Sequence, residues 1–505
     1  MFLVPIIFVI TNISPIAIIE LLSDDSFINA ISFSFLESLA TVFFSFLVGF
    51  PGAFLMARST NKYKSLLRNM LWIPFMMPPS VVCAGLLFLW GEGGILTSLI
   101  GIDITGFWLV ICAHVFFNAP LVIIIVSGAW ERIDPSLEES AEVLGATPVR
   151  KFFRVILPAL RPAIEYTCLV IFLYSFMAFT TVLLLGGVSF RTIEVEIYSM
   201  LVILLRKDIA ASAAFFQFII LMIVLIGVAY RSPKLSLSAP NIFAIRKRGN
   251  SIIGSIYWCL IFMFFALPLT AVLYRGAWDP YSGQLTFEGY AHLFSFEYDP
   301  ILGNSPANVV INTIAFATLN ALISVSLSIA IAMNKYRKLS STFFLLPSSL
   351  STMMLTLGLF VVWNYIDPSR IFRWMAIIIA HITLVFPFVQ RGISSALESI
   401  PSSYRESALT LATPFKVFQK VEFPMISPQV IAMGFFAFTY SLGEMGATMA
   451  LGSREYMTIS VMMRYYLGMR QYLLAASSGG FLLVISLLLI VFASLSMERM
   501  EMVRG

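Results

Sequence analysis

The sequence is short of charge and of cysteine. Only 12% of its 505 residues are charged while 59% are hydrophobic, where a water-soluble domain carries about 25% charge. That shortage excludes a globule wetted on all sides. In lipid only helices and closed barrels satisfy their backbone N–H and C=O groups. A barrel alternates in segments of roughly ten residues. Here the apolar runs are unalternated and about 20 residues long, the length at which a helix crosses hydrocarbon. The four cysteines, Cys83, Cys112, Cys168 and Cys259, lie inside these runs without metal-ligand spacing. They read as small buried hydrophobes, not as disulfides or ligands. No Gly-x-x-x-x-Gly-Lys-Ser/Thr loop occurs, which excludes ATP hydrolysis by that route in this chain. Paired carboxylates, a Ser-His-Asp set and metal clusters are lacking too, so neither an enzyme, a metal nor a cofactor is expected. The net charge of +5 marks cytoplasmic loops of a membrane protein rather than a nucleic-acid partner.

What is present is a series of about twelve apolar spans, at roughly 2–20, 31–57, 70–90, 107–130, 161–185, 211–230, 251–274, 308–333, 343–363, 374–395, 427–450 and 474–496. The first is interrupted by Pro5, Asn12 and Pro15. It lacks a basic n-region and reads as a span, not a signal peptide. Arg58, Lys62, Lys64 and Arg68 follow the second span, and Arg132, Arg150, Lys151, Arg154 and Arg161 the fourth. Arg246, Lys247 and Arg248 follow the sixth, and Lys335, Arg337 and Lys338 the eighth. Segments 91–106 and 276–307 contain no Lys or Arg. The alternation places the even connections and both termini in the cytoplasm.

The chain repeats itself at an offset of about 267–275 residues. Pro74, Gly85 and Trp90 match Pro347, Gly358 and Trp363; Ala113, His114 and Pro120 match Ala380, His381 and Pro387; Ser175, Gly186, Thr192 and Ile193 match Ser441, Gly452, Thr458 and Ile459. Six spans per half make the repeats parallel. The expected domains are a first repeat 1–232, a basic linker 233–250 and a second repeat 251–505, the fold being all-α and polytopic. Symmetry suggests a central path between the halves.

The longest cytoplasmic loop of each half, 131–160 and 398–424, does not read as a solvated connector. In the first, Asp134 can cap a helix begun by Pro135, with Glu138 and Glu139 in its first turns. Gly145 can end it in the left-handed conformation, and Thr147-Pro148 can start a second short helix. The second loop repeats the pattern, with ten residues from Pro148 to Pro158 and ten from Pro414 to Pro424. Each makes a compact docking knob.

Glu139-Ser-Ala141, Gly145, Val155, Leu157 and Pro158 resemble the EAA loop of ATP-binding-cassette (ABC) importer permeases, and the motif occurs twice. The resemblance implies the type I importer permease fold, with two copies of a separate ABC ATPase, an extracytoplasmic substrate-binding protein and the plasma membrane of a prokaryote. By the same resemblance Glu139, Ala141, Gly145, Leu157 and Pro158, with Glu406, Ala408 and Pro424, carry the ATPase contact. The second copy lacks the glycine, so its turn must be built differently. Fusion of two six-span halves is similar to the thiamine and ferric-iron permeases, as are Leu183–Tyr198 and Ser441–Gly446, which points to a solute of that type.

Among polar residues within spans, Glu37, His114, Asn118, Glu165, His381 and Glu444 are candidates for a path. The matched histidines read as structural bonds between helices, and Glu165 as a helix-start carboxylate. Glu444, flanked by Gly443 and Gly446, and Asn118 are the candidate path residues. A secondary transporter of the major-facilitator kind is the rival. It would place a mixed-charge motif after the second span, but 58–68 has no acid, and it would not explain two docking knobs.

Overall fold

The computed structural model describes residues 3–59, 64–187, 189–231, 252–279, 283–333, 351–366 and 370–504. The expected linker 233–250, the basic residues Lys62, Lys335, Arg337 and Lys338, Pro347, and the side chain of Trp363 lie outside the described residues. The first half begins with α1 (Leu3–Thr11), α2 (Pro15–Ser23) and the long α3 (Asp25–Arg58). It continues through α4 (Lys64–Met70), α5 (Trp72–Met76), α6 (Pro79–Trp90), α7 (Ile95–Ile100) and α8 (Phe107–Trp130). Two short helices follow, α9 (Pro135–Val143) and α10 (Pro148–Lys151), then α11 (Leu157–Phe176), α12 (Thr180–Leu185), α13 (Ile193–Tyr198) and α14 (Lys207–Arg231).

The second half starts with α15 (Ile252–Ala277), a small antiparallel hairpin of β1 (Trp278–Asp279) and β2 (Gln284–Leu285), and α16 (Glu288–His292). It then repeats the first: α17 (Pro306–Ala332), α18 (Thr352–Ile366), α19 (Arg370–Glu398), α20 (Ser402–Leu409), α21 (Pro414–Val417), α22 (Phe423–Gly443), α23 (Gly446–Leu451), α24 (Ile459–Gly468) and α25 (Tyr472–Arg504).

Ten helices among the described residues are long and apolar enough to cross a membrane. Expected spans one, three and nine differ from single straight crossings. The first folds as α1 and α2, nine residues each, so each rises about 14 Å against a hydrocarbon core of about 30 Å. Ser14 accepts a hydrogen bond from the Ala17 N–H and starts α2 afresh at Pro15. The third is broken between α5 and α6, where Pro78 and Pro79 supply no N–H. The ninth is described only from Ser351 onward, and α18 has 15 residues. Spans five and eleven are also discontinuous, at Met177–Phe179 and Glu444–Met445.

Packing follows membrane rules. In the middle of α3 Ser34, Glu37, Ser38, Thr41 and Ser45 are buried, while Leu36, Leu39, Phe43 and Leu47 are exposed. Small and polar residues let α3 approach α8 closely, and large apolar ones face outward to lipid. The halves interlock through α6 and α15, where a Cβ on Gly85 would sit 2.1 Å from the Pro268 carbonyl oxygen. Only glycine allows that approach. The largest buried cluster draws on both halves, with Val82 and Leu86 beside Val272, Met353 and Met462.

The connections fall into two groups by contact. Lys64 and Arg68 pair with Glu131 at 3.0 and 2.7 Å, and Arg58 pairs with Glu138. Those residues belong to the loops after spans two and four. Arg275 donates to the Gly93 carbonyl at 3.1 Å, and Tyr466 donates to Asp299 at 2.7 Å, which joins the loops of the other set.

Candidate functional site

The loop after the fourth span is a helix–turn–helix built by local chemistry. The Asp134 carboxylate accepts the Ser136 N–H at 2.9 Å, capping α9. At the other end Gly145 has φ +77°. The Ala146 N–H reaches the Ala141 carbonyl and the Gly145 N–H the Glu142 carbonyl, both at 2.9 Å, a Schellman closure that needs a left-handed residue. Thr147 caps α10 through the Arg150 N–H. The second short helix does not stop before the span. It runs through a π turn, Phe152–Ile156, straight into α11, because Pro158 lacks an N–H and its ring crowds the preceding turn.

Ion pairs fasten this knob to the membrane body. Arg58, at the end of α3, reaches both oxygens of Glu138, at 2.5 and 2.7 Å. Lys151 lies 3.6 Å from Glu138 and 2.7 Å from Glu142. Glu139 and Pro158 are exposed, Leu157 is half-buried and Ala141 is buried. The apolar tip is bare: Leu144 is 86% exposed and Val149 67%.

The second knob reaches the same shape without glycine. Leu411 and Ala412 close the turn, their N–H groups both donating to the Ala408 carbonyl, at 3.1 and 3.0 Å. Non-glycine residues with positive φ are Leu205 and Arg470 among the described residues, so this turn uses no left-handed residue. A π turn, Phe418–Glu422, again precedes the span helix. Its ion pair has the opposite polarity: Arg405 on α20 faces Glu422 at 3.4 Å. Glu406 and Pro424 are exposed and Ala408 is half-buried. At the tip Leu411 is 90% and Phe415 63% exposed, in the places of Leu144 and Val149.

Within the membrane body the two matched histidines each hold a carboxylate, but from different helices. His114 on α8 pairs through Nδ1 with Glu37 on α3, which also accepts from Thr41 Oγ1 at 2.7 Å. His381 on α19 is 2.6 Å from Ser441 Oγ and 3.3 Å from Glu444. The place of Glu37 is taken in the second half by Phe316, whose ring centre lies 6.0 Å from that of His381. Glu444 caps α23, accepting the Ala447 and Thr448 N–H groups at 2.9 and 3.3 Å. Asn118 is buried and donates to the His114 carbonyl of its own helix at 2.9 Å. Glu444 and Asn118 therefore sit in separate halves rather than in one site. Glu165 pairs with Arg161 at 2.7 Å.

A further layer lies where the halves meet. The Ile193 N–H donates to Ser34 Oγ, and the Ile459 N–H to Thr313 Oγ1, each at 2.9 Å. These matched bonds seat α13 and α24 against the second and eighth spans. The next residue of each reaches across to the other half. Ser460 Oγ lies 3.1 Å from Ser80 Oγ at the start of α6. Glu194 accepts the Met353 N–H at the start of α18, at 3.2 Å, and the Gln217 amide at 3.1 Å. Glu194 is a residue that sequence reasoning passed over. Its signal was the mismatch with Ser460 directly after the matched Thr-Ile pairs.

A family of transport components matches both halves. The family described as binding-protein-dependent transport system inner membrane component covers residues 49–235 and again 298–501. The chain belongs to that family. It is 24% identical over 450 residues to the ferric transport system permease protein FbpB of Actinobacillus pleuropneumoniae, covering 83% of this chain and 64% of that protein. It is 22% identical over 480 residues to the thiamine transport system permease protein ThiP of Brucella abortus, covering 91% and 86%. The chain spans just under two thirds of the ferric permeases it matches, 64% and 60% of their lengths. Membership sets the major-facilitator alternative aside.

Proposed function

We propose that this chain is the permease subunit of an ABC importer, fused from two halves and coupled to two copies of a separate ATPase through α9–α10 and α20–α21. The observation that carries the reading is the pair of knobs. Each presents bare apolar residues (Leu144 and Val149; Leu411 and Phe415) on a rigid, ion-paired helical turn facing water. Apolar groups held so far out mark a protein contact. Glu139, Ala141, Gly145, Leu157 and Pro158, and Glu406, Ala408 and Pro424, would make or shape that contact. Closure of the ATPase pair would rock the halves as rigid bodies, opening a path between them to which Glu444 and Asn118 belong.

The solute is of the thiamine or ferric-iron type, by likeness to the two relatives named, and an extracytoplasmic substrate-binding protein delivers it. The domains would be 1–232 and 251–505, joined by 233–250. The membrane is the plasma membrane of a prokaryote; with α1 and α2 together counted as the first pass, both chain ends are cytoplasmic. The test is binding-protein-stimulated ATP hydrolysis by the reconstituted complex. Glu139→Ala and Gly145→Val each abolish the stimulation while the permease still inserts. Undiminished stimulation in both variants would contradict the coupling.

A further inference from the structure

We propose that Glu194 selects for positive charge in the solute path, its carboxylate facing a cationic solute when the two halves part; the inference rests on the importer reading above. Four observations lead there. The carboxylate is fully buried at the meeting of the halves, with α13 behind it and the first turn of α18 in front. Among the described residues no Lys, Arg or His pairs with it, and hydrogen bonds alone meet the carboxyl. The fold does not need a carboxylate there, because the matched position, Ser460, seats its helix with a hydroxyl. Finally, its partners belong to different halves: Gln217 to its own, Ser351 and Met353 to the other.

That division gives the carboxylate a role in opening. When the halves separate, the Gln217 bond travels with Glu194 and the bonds from Ser351 and Met353 break. The carboxyl then faces the gap with one amide donor, in surroundings where it ionises only if its charge is offset. A cationic solute offsets that charge and an anionic one is repelled. The freed N-terminus of α18 acts the other way, but a helix end carries about half a unit charge against the full charge of Glu194. The residue thus ties opening to the sign of what passes. Broken helices at the repeat interface, here α5–α6, α11–α12 and α22–α23, are where transporters place their solute sites.

The test needs no knowledge of the solute. In a permease with Cys83, Cys112, Cys168 and Cys259 replaced by Ala, Ser460→Cys places a thiol in the same layer. The reconstituted complex with its ATPase is labelled, resting and during ATP turnover, by a cationic and by an anionic methanethiosulfonate. The rates are normalised to those with a small free thiol. The expected result is labelling during turnover with a normalised cation-to-anion ratio of about ten. The ratio collapses towards one in Glu194→Gln and is retained in Glu194→Asp, which guards against a merely misfolded variant. Turnover-dependent labelling with a ratio that Glu194→Gln leaves unchanged overturns this inference and leaves the importer reading standing. No turnover-dependent labelling by either reagent overturns both.

Discussion

The two halves share a backbone plan and differ in where they put charge. In the first half the docking knob is tied to the end of the second span by Arg58 and Glu138, with Lys151 beside them. In the second, Arg405 and Glu422 tie the knob to the start of the following span, with the signs reversed. Inside the body, the first histidine draws its carboxylate from α3 and the second from the break after α22. Where the halves meet, one side offers Glu194 and the other Ser460. Matched backbones with unmatched charges teach that the fold fixes positions for helix ends and histidines, while the charged partner at each position is free to move. A fused chain allows this, because its halves need not be identical.

The comparison is most easily broken at the histidines. His114→Ala leaves Glu37 buried with hydroxyl donors only, Thr41 and a long bond from Ser38. Removing one member of a buried pair costs about 3–5 kcal/mol, so the yield of folded protein in detergent falls sharply, and His114→Ala/Glu37→Ala restores part of it. His381→Ala has a smaller effect, because Glu444 keeps its two backbone donors. Equal losses of thermal stability in the two variants would mean that the carboxylates are not held differently.

The next effect is at the turns. Gly145→Val forces a side chain to φ +77°, at a cost of about 1–2 kcal/mol, and distorts the Schellman closure. Stimulated ATP hydrolysis is lost. Ala412→Gly, in the glycine-free turn, leaves the stimulation within about twofold, since that turn asks for no left-handed residue. Smaller again are the ion pairs. Glu422→Ala frees one half-exposed arginine and lowers coupling slightly, in keeping with about 0–1 kcal/mol for such pairs. Glu138→Ala strands Arg58, although Lys151 keeps Glu142 at 2.7 Å, and lowers coupling several-fold more.

A local effect, confined to one loop, lies outside the membrane, in the segment that only the second half inserts. Burial pushes the Asp299 carboxyl up, but hydrogen bonds from Tyr466, the Ile301 N–H, His292 and the Leu302 N–H outweigh it and hold the group below its usual range. A depressed carboxyl stabilises above its unfolded pKa of about 3.9 and loses that contribution as the pH falls through the folded value. Tyr466→Phe removes one of these bonds, worth about 1–2 kcal/mol. Amide exchange across 293–304 therefore speeds up at neutral pH, and the difference from the parent shrinks in acid. An unchanged exchange rate would show that Tyr466 does not hold this loop.

Much of this architecture was legible in the residues. Hydropathy gave the helices and residues matched at a fixed offset gave the repeat, and Asp134, Pro135, Gly145, Thr147 and Pro148 spelled out the first knob by local rules of capping. The second knob was legible in outline, although its turn depends on bonds to Ala408 that no residue type announces. Three features were not legible for a physical reason. Hydropathy measures burial and not continuity, so α1 and α2 read as one span. The carboxylate partner of each histidine depends on which helix lies beside it. Glu194 meets Met353 across 159 positions of chain and across the junction of the halves, where neither periodicity nor spacing reaches.

The central claim is that the halves part in the layer containing Ser80, Ser460, Glu194 and Met353 as the knobs are driven. It is tested most directly by Ser80→Cys/Ser460→Cys in the cysteine-free permease, since the two hydroxyls lie 3.1 Å apart. Oxidation of the reconstituted complex should form the disulfide and abolish both solute uptake and stimulated ATP hydrolysis, and reductant should restore them. Full stimulated hydrolysis and uptake with the disulfide formed would show that the halves do not part there.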